Sequence, residues 1–212
     1  MPWFYHVSRV IVIILLFLLT RWQVRGKENV PQQGPLLVVA NHLSLADPPL
    51  LSVTLDRKAI FMAKKELFHF KPIGYFIRGL GAFPVHRDRL DRRGLHQAYQ
   101  VLAGGLALVM FPEGMRSRTG QLRPAFFGAA LIASHTGIPI LPIGISGTER
   151  IERPLWLLRR PRITVNIGQP FHLPVQSTRP TRQELAESTK IIMQHIAELL
   201  PQEYRGHYYD EN

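Results

Sequence analysis

Residues 36–47 read LLVVANHLSLAD, and Pro48-Pro49 follow. Leu36 to Ala40 form an unbroken apolar run, as expected of a strand buried on both faces of a parallel sheet. Pro48 and Pro49 suit the first turn of a helix, with Asp47 as its N-cap. The segment therefore reads strand, loop, helix. The same alternation continues outward. Residues 59–63, 82–85, 106–111, 140–145 and 163–167 read as further strands. Residues 67–79, interrupted at Pro72, 89–103 and 125–134 read as helices, the last ended by Gly137. Thr181-Arg182-Gln183-Glu184 has the form of a capping box and opens a final helix stopped by Pro201. Repeated strand–helix units predict an α/β fold, a mostly parallel central sheet with helices on its faces.

The N-terminus differs in character. Residues 10–19 read VIVIILLFLL, short of the about 20 apolar residues a spanning helix needs. A signal peptide is a poor fit, because Thr20-Arg21-Trp22 is a poor cleavage site. A buried helix of a soluble domain is a second reading. The expectation adopted is a membrane anchor, either spanning or partly immersed. Trp3 and Trp22 bracket the run, and Arg21, Arg25 and Lys27 place the rest on the cytoplasmic side. This divides the chain into an anchoring helical segment, 1–30, and one domain, 31–212.

At 212 residues the chain is long enough to bury a core without disulfides. It has no cysteine, which excludes disulfide frameworks, Cys-ligated zinc, iron–sulfur clusters and cysteine nucleophiles. Lys and Arg number 26 against 15 Asp and Glu, a net charge of +11. Such a surplus points to anionic partners: nucleic acid, anionic lipid headgroups or phosphorylated substrates. No nucleic-acid motif accompanies it, and the aromatic residues are not interleaved with the basic ones, so no nucleic-acid partner is expected.

Three stretches carry chemistry. In Asn41–Asp47, His42 and Asp47 meet if the residues between them turn. An Asp accepting from one imidazole nitrogen leaves the other as a base for an alcohol proton. A surface histidine beside an ordinary helix cap is the alternative. Phe111-Pro112-Glu113-Gly114-Met115-Arg116-Ser117 follows another buried strand and gathers a carboxylate, a glycine and an arginine, with Arg118 next. Such loops suit phosphate, and a solvated turn is the alternative. Gly81-Ala82-Phe83-Pro84-Val85-His86-Arg87 ends a short strand with an arginine whose fork suits an oxyanion. Neither Ser44 nor Ser117 sits in a G-x-S-x-G turn, and the remaining histidines show no metal-ligand spacing. Residues 152–162, with Trp156 among leucines and arginines, read as an interfacial membrane contact or a solvated basic loop.

In this order the three stretches, with the proline-containing apolar block Ile138-Pro139-Ile140-Leu141-Pro142-Ile143, resemble the glycerolipid acyltransferase superfamily, specifically bacterial 1-acyl-sn-glycerol-3-phosphate acyltransferases. Ala63-Lys64-Lys65-Glu66-Leu67 adds to the likeness. The resemblance implies transfer of a fatty acyl group from acyl-CoA or acyl-carrier protein to the free hydroxyl of lysophosphatidic acid. It implies His42 as general base oriented by Asp47. It implies an acceptor-phosphate site from Arg87, Glu113, Gly114, Arg116 and Ser117, with Lys64 and Lys65 as further cations. Arg87 is the expected direct phosphate ligand. Glu113 repels phosphate and is expected to hold an arginine or the acceptor hydroxyl. No cofactor is expected beyond the thioester, and the expected location is the cytoplasmic face of an anionic membrane. One departure is plain: Met115 stands where the family has threonine. Another lysolipid, glycerol 3-phosphate, or a non-catalytic lipid-binding role on the same fold are the alternatives.

Overall fold

The computed structural model describes residues 2–86, 91–152, 159–174 and 180–208. Among these, seven strands form one sheet. They are β1 (Arg21–Arg25), β2 (Leu36–Ala40), β3 (Ala59–Lys64), β4 (Ala82–Val85), β5 (Ala107–Met110), β6 (Ile140–Ser146) and β7 (Arg162–Ile167). Their order is β1-β7-β6-β2-β5-β3-β4, with β2 at the centre. Every pairing is parallel except β6 with β7. The expected mostly parallel sheet is the one observed.

Helices cover both faces, which is why β2 is apolar throughout. Leu36, Val38 and Ala40 point to one side, into a core shared with Val12 and Leu16 of α1 (Pro2–Leu19) and Leu50, Leu51 and Val53 of α2 (Asp47–Thr54). Phe76 of α3 (Lys71–Gly79) packs against the same cluster. Leu37 and Val39 point to the other side. There they meet Ala98 and Leu102 of α4 (Arg92–Ala103), Ile132 of α5 (Gly128–Thr136), and Ile192 and Ile196 of α6 (Arg182–Glu198). The capping box at Thr181 is formed in both directions, and Gly137 ends α5 in the left-handed region, as expected.

The structure corrects four local expectations. Arg21–Arg25 is the edge strand β1, inside the region assigned to the anchor; its alternation puts Trp22 and Val24 against the core and its charges outward. The break expected at Pro72 falls just before it, where a 3-10 turn (Lys65–Phe68) gives way to α3 with Pro72 in its first turn. Helix α4 begins at Arg92 rather than 89, with Asp91 as the N-cap accepting from the Gly94 N–H. Asp47 is not the N-cap of α2; that position is Ala46. Pro48 and Pro49 have no N–H for a cap to accept, and the Leu50 N–H goes to the Ala46 carbonyl. The Asp47 carboxylate is thereby free to turn back into the preceding loop.

Helix α1 docks through a narrow stripe. Tyr5, Ser8, Val12 and Leu16 are buried, whereas Val10, Ile14, Phe17 and Leu18 are exposed. Among the described residues no helix is long and apolar enough to cross a membrane.

Candidate active site

Chain direction fixes where the site lies. The parallel strands β2, β5 and β6 end together, and the loops leaving them converge at the carboxyl edge of the sheet. In open α/β sheets ligands bind at that edge, where connections diverge to the two sides of a central strand. Strand β2 is that strand here, and His42 lies two residues past its end.

His42 Nδ1 lies 2.8 Å from Asp47 Oδ2. The same oxygen accepts from the Leu43 N–H at 2.7 Å and the Ser44 N–H at 2.8 Å. The other carboxylate oxygen accepts from the Thr148 hydroxyl at 2.6 Å. Asp47 and Thr148 are both 0% exposed. The carboxylate is therefore fixed by four donors, Nδ1 carries the proton facing it, and Nε2 is the nitrogen left for chemistry. The loop between His42 and Asp47 makes the turn that the sequence required of it. Burial on this scale, with each partner supplied by folding, is the mark of a pre-set group rather than a surface histidine.

The second motif grips the backbone of His42. Glu113 Oε1 accepts from the His42 N–H at 2.9 Å, and the Ser117 N–H donates to the His42 carbonyl at 2.7 Å. Glu113 Oε2 accepts from the Arg123 N–H at 2.9 Å. Glu113 is 1% exposed, and burial raises its carboxyl to about 7 against the pull of those two N–H groups and the Arg123 charge. The Phe111 ring stacks on the His42 imidazole at 4.2 Å between centroids. Gly114 has φ of 69°, and a Cβ there would lie 2.6 Å from the Phe126 ring, so this turn needs glycine.

His42, Asp47, Glu113 and Ser117 are brought together. Both Glu113 oxygens accept from backbone N–H groups, one of them that of His42, so this carboxylate helps to position His42. Arg116 is half-buried in the same loop, and Met115 is 47% exposed. Lys64 and Lys65 are exposed at the end of β3, and Lys64 Nζ is 3.7 Å from Glu66. Arg87 lies outside the described residues, as do 153–158 of the expected interfacial stretch.

Thr148 was not singled out from sequence. Its signal was weak: a Gly-Thr pair just past a buried strand. Gly147, with φ of 90°, turns the chain so tightly that a Cβ would strike the Arg162 carbonyl, and this turn delivers Thr148 to Asp47. Asn41 has a structural role that its position in sequence does not reveal. Its amide pairs both ways with the Ile145 backbone, at 2.8 and 2.7 Å, and ties the end of β2 to β6.

Beside the Phe111 ring, on the β5 and β3 side, lies a cavity of about 400 Å³. Met62, Leu95, Met110, Phe126, Phe127 and Leu131 line it. The site thus joins a pre-oriented imidazole to an apolar cavity.

Comparison with known proteins bears on this geometry. A family model described as Acyltransferase matches residues 21–146. A 1-acyl-sn-glycerol-3-phosphate acyltransferase of Bacillus subtilis is 30% identical over 178 residues, covering 84% of this chain and 87% of that protein. One from Streptococcus pneumoniae is 31% identical over 179 residues, covering 80% of this chain and 63% of that one. Among solved structures, PlsC of Thermotoga maritima, a 1-acyl-sn-glycerophosphate (LPA) acyltransferase, superposes with a TM-score of 0.71 at 27% identity. That likeness covers 92% of this chain and 79% of the other.

Proposed function

The chain belongs to the acyltransferase family, and from that premise we propose that it moves a fatty acyl group from a thioester to the free hydroxyl of lysophosphatidic acid, giving phosphatidic acid. The observation that carries this reading is the buried His42–Asp47 pair, 2.8 Å apart, beside an apolar cavity.

His42 Nε2 takes the acceptor's hydroxyl proton as the oxygen attacks the thioester carbonyl carbon. Collapse breaks the carbon–sulfur bond, and the leaving thiolate receives that proton from the imidazolium. Asp47 holds the tautomer and stabilises the imidazolium. Glu113, Ser117 and Thr148 do not touch the reactants; they keep His42 and Asp47 in place. The cavity takes the acyl chain. Acyl-CoA or acyl-carrier protein serves as donor and no cofactor is required. Arg116 and Arg87 bind the acceptor's phosphate, with Lys64 and Lys65 as outer cations. Exposed Met115 in place of the family's threonine supports a second reading, in which the acceptor is a different lysolipid.

Membrane access follows from the exposed apolar face of α1, where Phe17 is 70% and Leu18 57% exposed, next to a chain of net charge +11. This face lies on the cytoplasmic surface of an anionic bilayer.

The test is transfer of labelled acyl groups from either donor to lysophosphatidic acid and to lysolipids of other headgroup. Labelled phosphatidic acid is the expected product. Product from a different lysolipid alone assigns the enzyme to the second reading. No product from any pair overturns the proposal.

A further inference from the structure

The turn that delivers Thr148 to Asp47 is itself held from the far end of the chain. Past α6, Pro201 stops the helix, and two short 3-10 turns follow, Gln202–Tyr204 and Gly206–Tyr208. Tyr204 is 8% exposed and belongs to the same core cluster as Leu122, Ile192 and Met193. Packing against that cluster would be served equally well by phenylalanine. A buried tyrosine adds a hydroxyl that must find a partner, and the partner chosen here is informative.

The Tyr204 hydroxyl donates to Glu149 Oε1 at 2.9 Å. Arg150 Nε stands 3.4 Å from the same carboxylate oxygen. Burial and the Glu149 carboxylate raise the Tyr204 phenol above its ordinary value, against the pull of the Arg150 charge and the Gly147 N–H. Glu149 and Gly147 are the two neighbours of Thr148 in the chain. The phenol oxygen therefore acts on the turn from both sides of the residue that holds Asp47.

The main chain of Tyr204 is fixed independently. The Leu122 N–H donates to the Tyr204 carbonyl at 2.8 Å, the Tyr204 N–H donates to the Pro201 carbonyl at 2.9 Å, and Arg205 Nε donates to the Leu200 carbonyl at 3.1 Å. Leu122 precedes Arg123, whose N–H is one of the two that Glu113 accepts. The ring is thus a strut with both ends held. Its base is pinned to the segment behind Glu113, and its tip reaches the turn that carries Thr148.

We propose that Tyr204 is a positioning residue for the His42–Asp47 pair, its hydroxyl setting the turn after β6 so that the Thr148 hydroxyl stays on Asp47. It touches no reactant. The route runs from Tyr204 to Glu149, along the chain to Thr148, from Thr148 to Asp47 at 2.6 Å, and from Asp47 to His42 Nδ1 at 2.8 Å. The kinetic consequence rests on the acyl-transfer reading. The effect on the imidazole does not, because it follows from the hydrogen bonds alone.

Tyr204→Phe keeps the ring and removes only the hydroxyl, and a thermal melt shows that the variant is folded. Proton NMR reads the His42 Nδ1–H facing Asp47, a signal assigned by its loss in His42→Ala. In Tyr204→Phe this signal should shift and exchange faster with solvent. The kcat for acyl transfer should fall about three- to tenfold, the order of one hydrogen bond, with KM for thioester and lysolipid unchanged. In a Thr148→Val background the same substitution should change neither quantity further, because the route is already cut. A wild-type signal with wild-type kcat in folded Tyr204→Phe overturns the proposal. So does an equal loss with and without the Thr148 hydroxyl. Glu149→Ala breaks the same bond from a half-buried position and must reproduce both changes, which keeps the test open should Tyr204→Phe fail to fold; wild-type behaviour of that variant also overturns the proposal. Absence of acyl transfer by the wild type fails the functional reading, while the NMR signal still decides this one.

Discussion

The two flanks of His42 hold the same buried histidine–aspartate pair but offer opposite surroundings. The β5 flank grips the His42 backbone, through Glu113 and Ser117, and opens into a chamber of methionine, leucine and phenylalanine. The β6 flank grips the Asp47 carboxylate, through Thr148, and opens into a recess of arginines. His42 and Asp47 are thus held from both sides, by different side chains on each. The contrast teaches that the two members of the pair are fixed separately, the histidine through its backbone and the aspartate through its carboxylate.

Changes in the gripping residues test that separation. The largest expected effect is at Glu113. Its folded-state carboxyl is raised from the ordinary 4.5 to about 7. Between those values the folded protein holds a proton that the unfolded chain has lost, so this group's contribution to stability falls as pH rises. The loss amounts to about 3 kcal/mol across that window. Glu113→Gln cannot ionise, and its amide N–H₂ faces one of the two N–H donors. At pH 5 the variant should be less stable than wild type, and urea titrations at rising pH should show the gap narrowing. A gap that widens toward pH 8 contradicts the assignment.

On the other flank, Thr148→Val keeps the shape and removes the hydroxyl. It leaves one oxygen of a fully buried carboxylate without its donor, at a cost of about 1–3 kcal/mol. Thr148 acts through Asp47, so kcat should fall with KM for both substrates unchanged, and Thr148→Ser should restore both stability and kcat. Equal activity in the valine variant would mean that Asp47 is held well enough by the loop alone.

The smallest change addresses the chamber. A Cβ at Gly128 would meet the Met110 methyl at 3.6 Å, ordinary contact, so a larger side chain there grows into the cavity without striking backbone. Gly128→Leu should shift the preference toward shorter acyl chains while stability stays within about 1 kcal/mol of wild type. A chain-length profile identical to wild type would remove the acyl chain from this cavity.

The two flanks also differ in how much of them the sequence revealed. Strands β2, β5 and β6 are apolar throughout because both faces of the sheet are covered, and such runs are visible without any tertiary knowledge. The loops that follow β2 and β5 hold their functional residues within a few positions, so His42, Asp47 and Glu113 could be marked in advance. The β6 flank had no such compactness. Its recess draws Arg21, Arg150, Arg162 and Glu203 from widely separated parts of the chain, and the pairing of β1 with β7 and of β7 with β6 is what brings the arginines together. Strand β1 itself was obscured by its neighbour: Arg21, Trp22 and Arg25 next to an apolar helix look like the flank of a membrane segment. Asp47 shows the limit at finer scale. Its pairing with His42 was legible, but its place inside the helix depended on two prolines having no N–H to cap.

The most direct test of the account is acyl transfer by His42→Ala, measured beside wild type with the same thioester and lysophosphatidic acid. Both proteins are first shown to melt at the same temperature. The account predicts a rate lower by about 10²–10⁴-fold, the usual worth of a general base, with substrate KM values little changed. A folded His42→Ala protein that transfers acyl groups at the wild-type rate would contradict it.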